Sequence, residues 1–151
     1  MTPSPQLAYA DTLHVKDHCL CLHAQRAARA LARRFDEALR PVGLTNGQFS
    51  LLMSLNRPKP ASLGDVAGLL GSDRTTLTAA LKPLVREGLA TVATDPADSR
   101  RRLISLTADG HARLIAALPI WKREHHALEA GMTAGQPDAL RQGLDHLAAF
   151  Q

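Results

Sequence analysis

The stretch SLGDVAGLLGSDRTTLTAALKPLVREGLATVATDPADSRRRLISLTADG, residues 62–110, decides the fold of this chain. Ser62 and Asp65 stand three apart ahead of Leu63, Val66, Leu69 and Leu70. A serine oxygen there accepts from amides that have no partner inside a helix, and an early acid suits the helix dipole, so a short helix is predicted that stops at Gly71. Ser72 and Asp73 open a second helix. Its Leu77, Leu81, Leu84 and Val85 share one face, and Arg74, Thr75, Thr78, Lys82 and Arg86 turn largely to the other. After Gly88, two strand-like runs, Leu89 to Thr94 and Arg102 to Leu106, flank a turn-rich segment, Asp95 to Arg101. Helix, turn, helix and basic-tipped hairpin in that order make a winged helix-turn-helix.

Working outward, Thr45-x-x-Gln48 is a capping box before Phe49, Leu52 and Met53, and Arg57-Pro58-Lys59-Pro60 breaks the chain just ahead of residue 62. Upstream, Leu20, Ala24, Ala27, Ala28, Leu31, Phe35, Ala38 and Leu39 recur at helical spacing, which predicts one long helix over 13–40 that Pro41 and Gly43 stop. Residues 1–12 read as a loose arm. Downstream, Thr107 and Asp109 open a helix through Leu114, Ile115, Leu118, Trp121 and Leu128, with Pro119 as a kink. Gly131 to Pro137 is a break, and Leu140, Leu144, Leu147 and Phe150 mark a last amphipathic helix. The expected fold is mainly α with a small β component (α+β), one domain over 1–151. In it, 44–106 form the winged helix-turn-helix, and 13–40 and 107–151 carry more apolar surface than so small a core covers. Burial between two subunits is the natural outlet, so 13–40 and 107–151 are expected to dimerise.

The 18 Lys and Arg against 14 Asp and Glu give a formal charge of +4 over 151 residues. From Thr107 onward there are 4 basic and 5 acidic residues, so the positive excess lies upstream and favours a polyanionic partner there. The 2 cysteines, Cys19 and Cys21, would stand roughly 200° apart on a continuous helix and are poorly placed to pair. Such sparing use of cysteine fits a reducing, cytoplasmic compartment. No secretory signal is expected, and no run approaches the roughly 18 to 20 apolar residues of a membrane span. Gly-x-Gly-x-x-Gly, phosphate-loop, Gly-x-Ser-x-Gly and His-Glu-x-x-His patterns do not occur, so neither an enzyme nor a bound cofactor is expected.

Asp95, Pro96, Asp98, Arg100, Leu106, Thr107 and Gly110, with Leu44-Thr45 before the second helix and Gly88-Leu89 after the recognition helix, resemble the MarR family of bacterial transcriptional regulators. The resemblance implies a homodimer that places one recognition helix per subunit in successive major grooves of double-stranded DNA. The operator would be pseudo-palindromic, with half-sites roughly 10 bp apart. It implies that Arg74, Thr75, Thr76 and Thr78 face the groove, with Arg74 able to read guanine, while Lys82 meets phosphate. Arg100 matches the wing arginine that enters the minor groove, with Asp98 as the carboxylate that holds it. Arg101 and Arg102 add charge, although alternation along a strand turns only one of them to DNA. Pro83 inside the recognition helix and Val92, where many relatives carry arginine, depart from the pattern.

A regulator of this kind is expected to be a repressor released by a small ligand or by oxidation. A small aromatic effector would use His23, Arg26, Phe49 and Trp121. Cys21 matches the reactive cysteine of the family's hydroperoxide-sensing branch, although Gln25 and Phe35 replace the tyrosines used there; Cys19 is a second thiol for the same chemistry. His14, His18 and Cys21 fall at i, i+4 and i+7, which on one continuous helix would give a weak zinc set. The rival from another class is a winged helix used only for protein contacts, without DNA binding.

Overall fold

The computed structural model describes residues 6–150. Two compact units divide the chain, one up to Arg34 and one from Phe35 onward, with the division inside a helix.

In the first unit α1 spans Tyr9–His18, and α2 runs Leu20–Leu39 into the second unit, where the 3-10 turn Arg40–Val42 follows it. Two expectations are corrected here. The loose arm over 1–12 is helical from Tyr9, while residues 1–5 lie outside the described residues. The single long helix over 13–40 is broken at Cys19, whose backbone is extended at φ −72° and ψ 105°. Cys19 takes the place of a capping residue there. Its sulfur accepts from the Leu22 amide at 3.4 Å, and its carbonyl accepts from the His23 amide at 3.1 Å. The thiol thus meets a donor that the first turn of a helix leaves unpaired.

The second unit continues with α3 (Asn46–Leu55), β1 (Ala61–Ser62), α4 (Leu63–Leu70), α5 (Arg74–Arg86), β2 (Ala90–Asp95), β3 (Asp98–Leu106), α6 (Ala108–Ala130) and α7 (Gln136–Ala148). The predicted capping box at Thr45 is formed, and the predicted serine cap at Ser62 is completed to a second box by the Asp65 side chain. Thr45 Oγ1 accepts from the Gln48 amide at 3.2 Å, and Ser62 Oγ accepts from the Asp65 amide at 3.1 Å. Gly71 ends α4 in the left-handed region, φ 63°. The helices α5 and α6 run through Pro83 and Pro119 without interruption. α7 begins at Gln136, inside the segment read as a break, with Pro137 in its first turn. Proline fits there because the first turn needs no donor from it.

The sheet is antiparallel in the order β1-β3-β2. Two of its features were not foreseen. The sequence pattern does not predict β1, and β3 begins at Asp98, so Arg100 and Arg101 join Arg102 on the strand instead of lying in the connecting segment. Pro96 and Ala97 alone form the tip. Leu39, Leu52, Val66, Leu77, Leu84, Leu89 and Ile104 are fully buried and tie α3, α4, α5 and the sheet into one core. α7 buries no residue of its own; Arg141 joins it to α6 by donating to Glu129 at 2.6 Å, and donates within α7 to Asp138, also at 2.6 Å.

Candidate nucleic-acid interface

α5 owes its direction to the turn before it. Asp73 caps the helix, accepting from the Thr76 amide and from the Thr76 hydroxyl, both at 2.8 Å. Those two hydrogen bonds hold the Asp73 carboxyl below its ordinary value. Buried Leu77, Leu81 and Leu84 seat the opposite face in the core, so Arg74, Thr75, Thr76, Thr78 and Lys82 are all exposed. Their hydroxyls are not equivalent. Thr76 is committed to the cap, and Thr78 donates to the Arg74 carbonyl at 2.7 Å. The Thr75 side chain makes no hydrogen bond to the described residues and is the threonine open to an outside partner. The Arg74 guanidinium lies over Gly64, so close that a Cβ there would stand 3.3 Å from Nη2.

The three arginines of the wing have separate surroundings. Arg100 is exposed; its backbone amide donates to Asp98 at 3.0 Å. The Asp98 carboxylate therefore shapes the turn into β3, whereas the resemblance had it holding the Arg100 guanidinium. Arg101 forms an ion pair with Asp65 of α4 at 3.6 Å, and Arg102 donates across the hairpin to the Thr94 hydroxyl. Hydrogen bonds from Ser62 chiefly keep the Asp65 carboxyl below its ordinary value, with Arg101 and Arg57 adding to the effect. Thr78 and Lys82 of α5 and Arg102 of β3 come together with Leu63, Leu81, Val85 and Val92 around a cleft of about 480 Å³ between recognition helix and wing. Val92 makes this cleft apolar where the resemblance leads one to expect a cation.

The motif residues behind the wing form one joint. The Thr107 hydroxyl donates to the Gly88 carbonyl at 2.6 Å and accepts from the Gly110 amide at 3.0 Å, while the Thr107 amide donates to Leu89 at 3.2 Å. Gly110 permits this approach, since a Cβ on it would lie 2.1 Å from the Leu89 oxygen. Gly88-Leu89 and Leu106-Thr107-Gly110 are thus two sides of a single contact that fixes the recognition helix to the wing and to α6.

A model of the MarR family matches residues 44–101, the segment that holds α3 to the wing. The M. tuberculosis transcriptional regulator MosR, solved in complex with DNA, is 37% identical and superposes with a TM-score of 0.79 over 87% of this chain and 94% of its own. The chain belongs to the MarR family. Another neighbour is the transcriptional repressor CouR, solved on a 23-mer DNA duplex. It is 27% identical, with a TM-score of 0.78 over 95% of this chain and 99% of that one. BadR of Rhodopseudomonas palustris, a transcriptional activatory protein, is 34% identical over 98 residues, 62% of this chain; the match spans 56% of BadR.

The remaining predicted residues fall in different places. Phe49 and Trp121 stack with ring centroids 6.2 Å apart and, with Ser50, Met53, Ser54, Leu69, Leu70 and Leu118, line a cavity of about 410 Å³. His23 and Arg26 do not line that cavity; with Arg29 and Arg33 they border another on α2. Cys21 is exposed and accepts from the Gln25 side-chain amide at 3.1 Å, and both thiols are free. Phe35 belongs to the core. The zinc set is corrected. His14 and His18 stack at 4.2 Å, but the break at Cys19 shifts the helical phase before Cys21, and among the described residues no group of three His, Cys, Asp or Glu side chains is placed to hold a metal. Nor is any described helix long and apolar enough to cross a membrane.

Proposed function

We propose that this chain is a sequence-specific, double-stranded DNA-binding transcriptional repressor that works in the cytoplasm as a homodimer on a pseudo-palindromic operator, without enzymatic activity. The observation that carries this reading is the pairing of a rigidly capped helix, offering Arg74 and Thr75, with a wing that leaves Arg100 exposed. Such a helix suits base edges in the major groove, and a cation beside it suits phosphate or the minor groove. The MosR and CouR structures on DNA support it by likeness.

The whole chain then acts as a single regulator domain in which 13–40 and 107–151 supply the dimer contacts. Leu140, Leu144 and Leu147 of α7 and Phe150 just beyond it are exposed, as are Leu13, Val15 and Leu20 near the start, and a second copy is what would cover them. The test is selection of duplexes from a randomised DNA pool, followed by anisotropy titration at several salt concentrations. A pseudo-palindrome with half-sites roughly 10 bp apart is expected. Failure to enrich any sequence refutes the reading and leaves the protein-contact module.

The releasing signal is assigned to a small aromatic effector in the cavity of Phe49 and Trp121, where apolar walls suit a ring. A second reading, oxidation at Cys21 or Cys19, is favoured by the exposure of Cys21 and by the hydrogen bonds that both sulfurs accept. Titrations with salicylate-like ligands and with peroxide separate the two. Trp121→Ala should abolish the first response, and Cys21→Ser the second.

A further inference from the structure

Three successive arginines on a wing read, from sequence, as three cations for DNA. The positions of their side chains divide them. β1 ends at Ser62, opposite Leu103, and passes directly into α4. The chain therefore runs on alongside β3 toward the hairpin tip, and Asp65 arrives beside Arg101. Beyond Leu103 the hairpin has no third strand; it is a two-stranded ribbon with a register shift at Thr94/Asp95. Ribbons of this kind are marginal without a tie to the body of a domain.

Asp65 is an unusual partner for a surface arginine because it is already ordered. Its Oδ2 accepts from the Ser62 amide at 3.3 Å in the capping box, and the same oxygen faces Arg101 Nη2 at 3.6 Å. A surface pair ordinarily loses most of its gain by fixing two long side chains. Here the cap has fixed one of them.

We infer that Asp65 is a positioning residue for the wing: it holds Arg101 as a strut, so that Arg100 is the wing cation presented to DNA. The inference rests on the DNA-binding reading for its consequence, but the strut itself belongs to the free protein. It assigns Arg101 a different task from the phosphate contact that its charge suggests.

Two measurements test it. In DNA-free protein, backbone 15N order parameters at Ser99 to Arg102 should fall in Arg101→Ala and in Asp65→Asn, and stay at the parent level in Arg101→Lys and in Asp65→Glu, which keeps both cap and charge. Ser62→Ala, which weakens the cap and leaves the ion pair, should lower thermal stability while largely sparing the wing. Unchanged order parameters in Arg101→Ala overturn the strut whether or not the protein binds DNA. On the selected duplex, Arg101→Ala and Asp65→Asn should each weaken binding by about two- to five-fold, and the double variant no further. The slope of log affinity against log salt should stay at the parent value in Arg101→Ala. A slope lower by about one would make Arg101 a phosphate contact and overturn the proposal. Should Asp65→Asn fail to fold, Arg101→Ala and Arg101→Lys decide the matter by themselves. If the parent enriches no duplex while the order parameters behave as stated, the DNA-binding reading fails and the strut stands.

Discussion

Replacing Gly110 by alanine sets two effects of opposite sign against each other. Alanine is the better helix former by about 1 kcal/mol in a helix interior, so propensity alone predicts a more stable protein. The Cβ, however, would sit 2.1 Å from the Leu89 oxygen, 2.8 Å from Leu106 Cδ1 and 3.0 Å from the Leu89 carbonyl carbon. The first of these is backbone and must retreat by about 1 Å to reach van der Waals distance, a forced displacement of the kind that costs about 1–3 kcal/mol. That retreat also strains the bond from the Thr107 amide to Leu89 (3.2 Å) and the one from the Thr107 hydroxyl to Gly88 (2.6 Å), each worth about 1 kcal/mol. The sum is a net loss of about 2 kcal/mol, or about 4–8 °C in Tm for a chain of this size. Urea and thermal unfolding followed by circular dichroism measure it. Gly68→Ala is the control, because Gly68 is exposed inside α4 with nothing within 4 Å of its Cβ position. It should gain about 0.4–1 kcal/mol. If Gly110→Ala is as stable as the parent or more so, the close approach of α6 to Leu89 is not what holds the wing.

Further outcomes are expected elsewhere. Leu52→Ala, at a fully buried position of α3, should cost about 2–5 kcal/mol in urea unfolding. Arg100→Ala should weaken operator binding and lower the salt slope by about one, as anisotropy titrations would show; an unchanged slope would remove Arg100 from the phosphate contacts. Asp73 has a folded-state pKa below its ordinary 3.8 because it accepts from Thr76, so its charge stabilises the fold above that value, and the gain is lost as pH falls from 3.8 through the lowered one. Asp73→Asn keeps a capping oxygen without the charge. The stability difference between parent and Asp73→Asn should therefore be full at neutral pH and shrink below about pH 4.

The helix-turn-helix was legible in the chain because its signals are local. Ser62 with Asp65, Thr45 with Gln48, the left-handed Gly71 and the leucines of α5 each act within a few residues, and each appears where the spacing predicts. The break at Cys19 was less legible, since a thiol is not an ordinary capping residue and the apolar spacing continues past it. β1 was missed because two residues carry no periodicity; the one hint was the pair Pro58 and Pro60, which biases the chain toward extended backbone just before Ala61. Start points also slipped at β3 and α7, where turn-forming residues proved compatible with the first positions of a strand and a helix.

Sequence by itself determined which segments are helices and hairpin, that positive charge gathers ahead of Thr107, and which family the wing resembles, because propensity, capping and charge are properties of neighbouring residues. Tertiary structure alone decided what the arginines do. Arg100, Arg101 and Arg102 are chemically alike, adjacent and all exposed, yet Arg101 meets Asp65, Arg102 meets Thr94, and the Arg100 side chain makes no such contact with the described residues. Partners of that kind come from the pairing of β1 with β3, which brings α4 beside the hairpin and which a run of identical residues does not record.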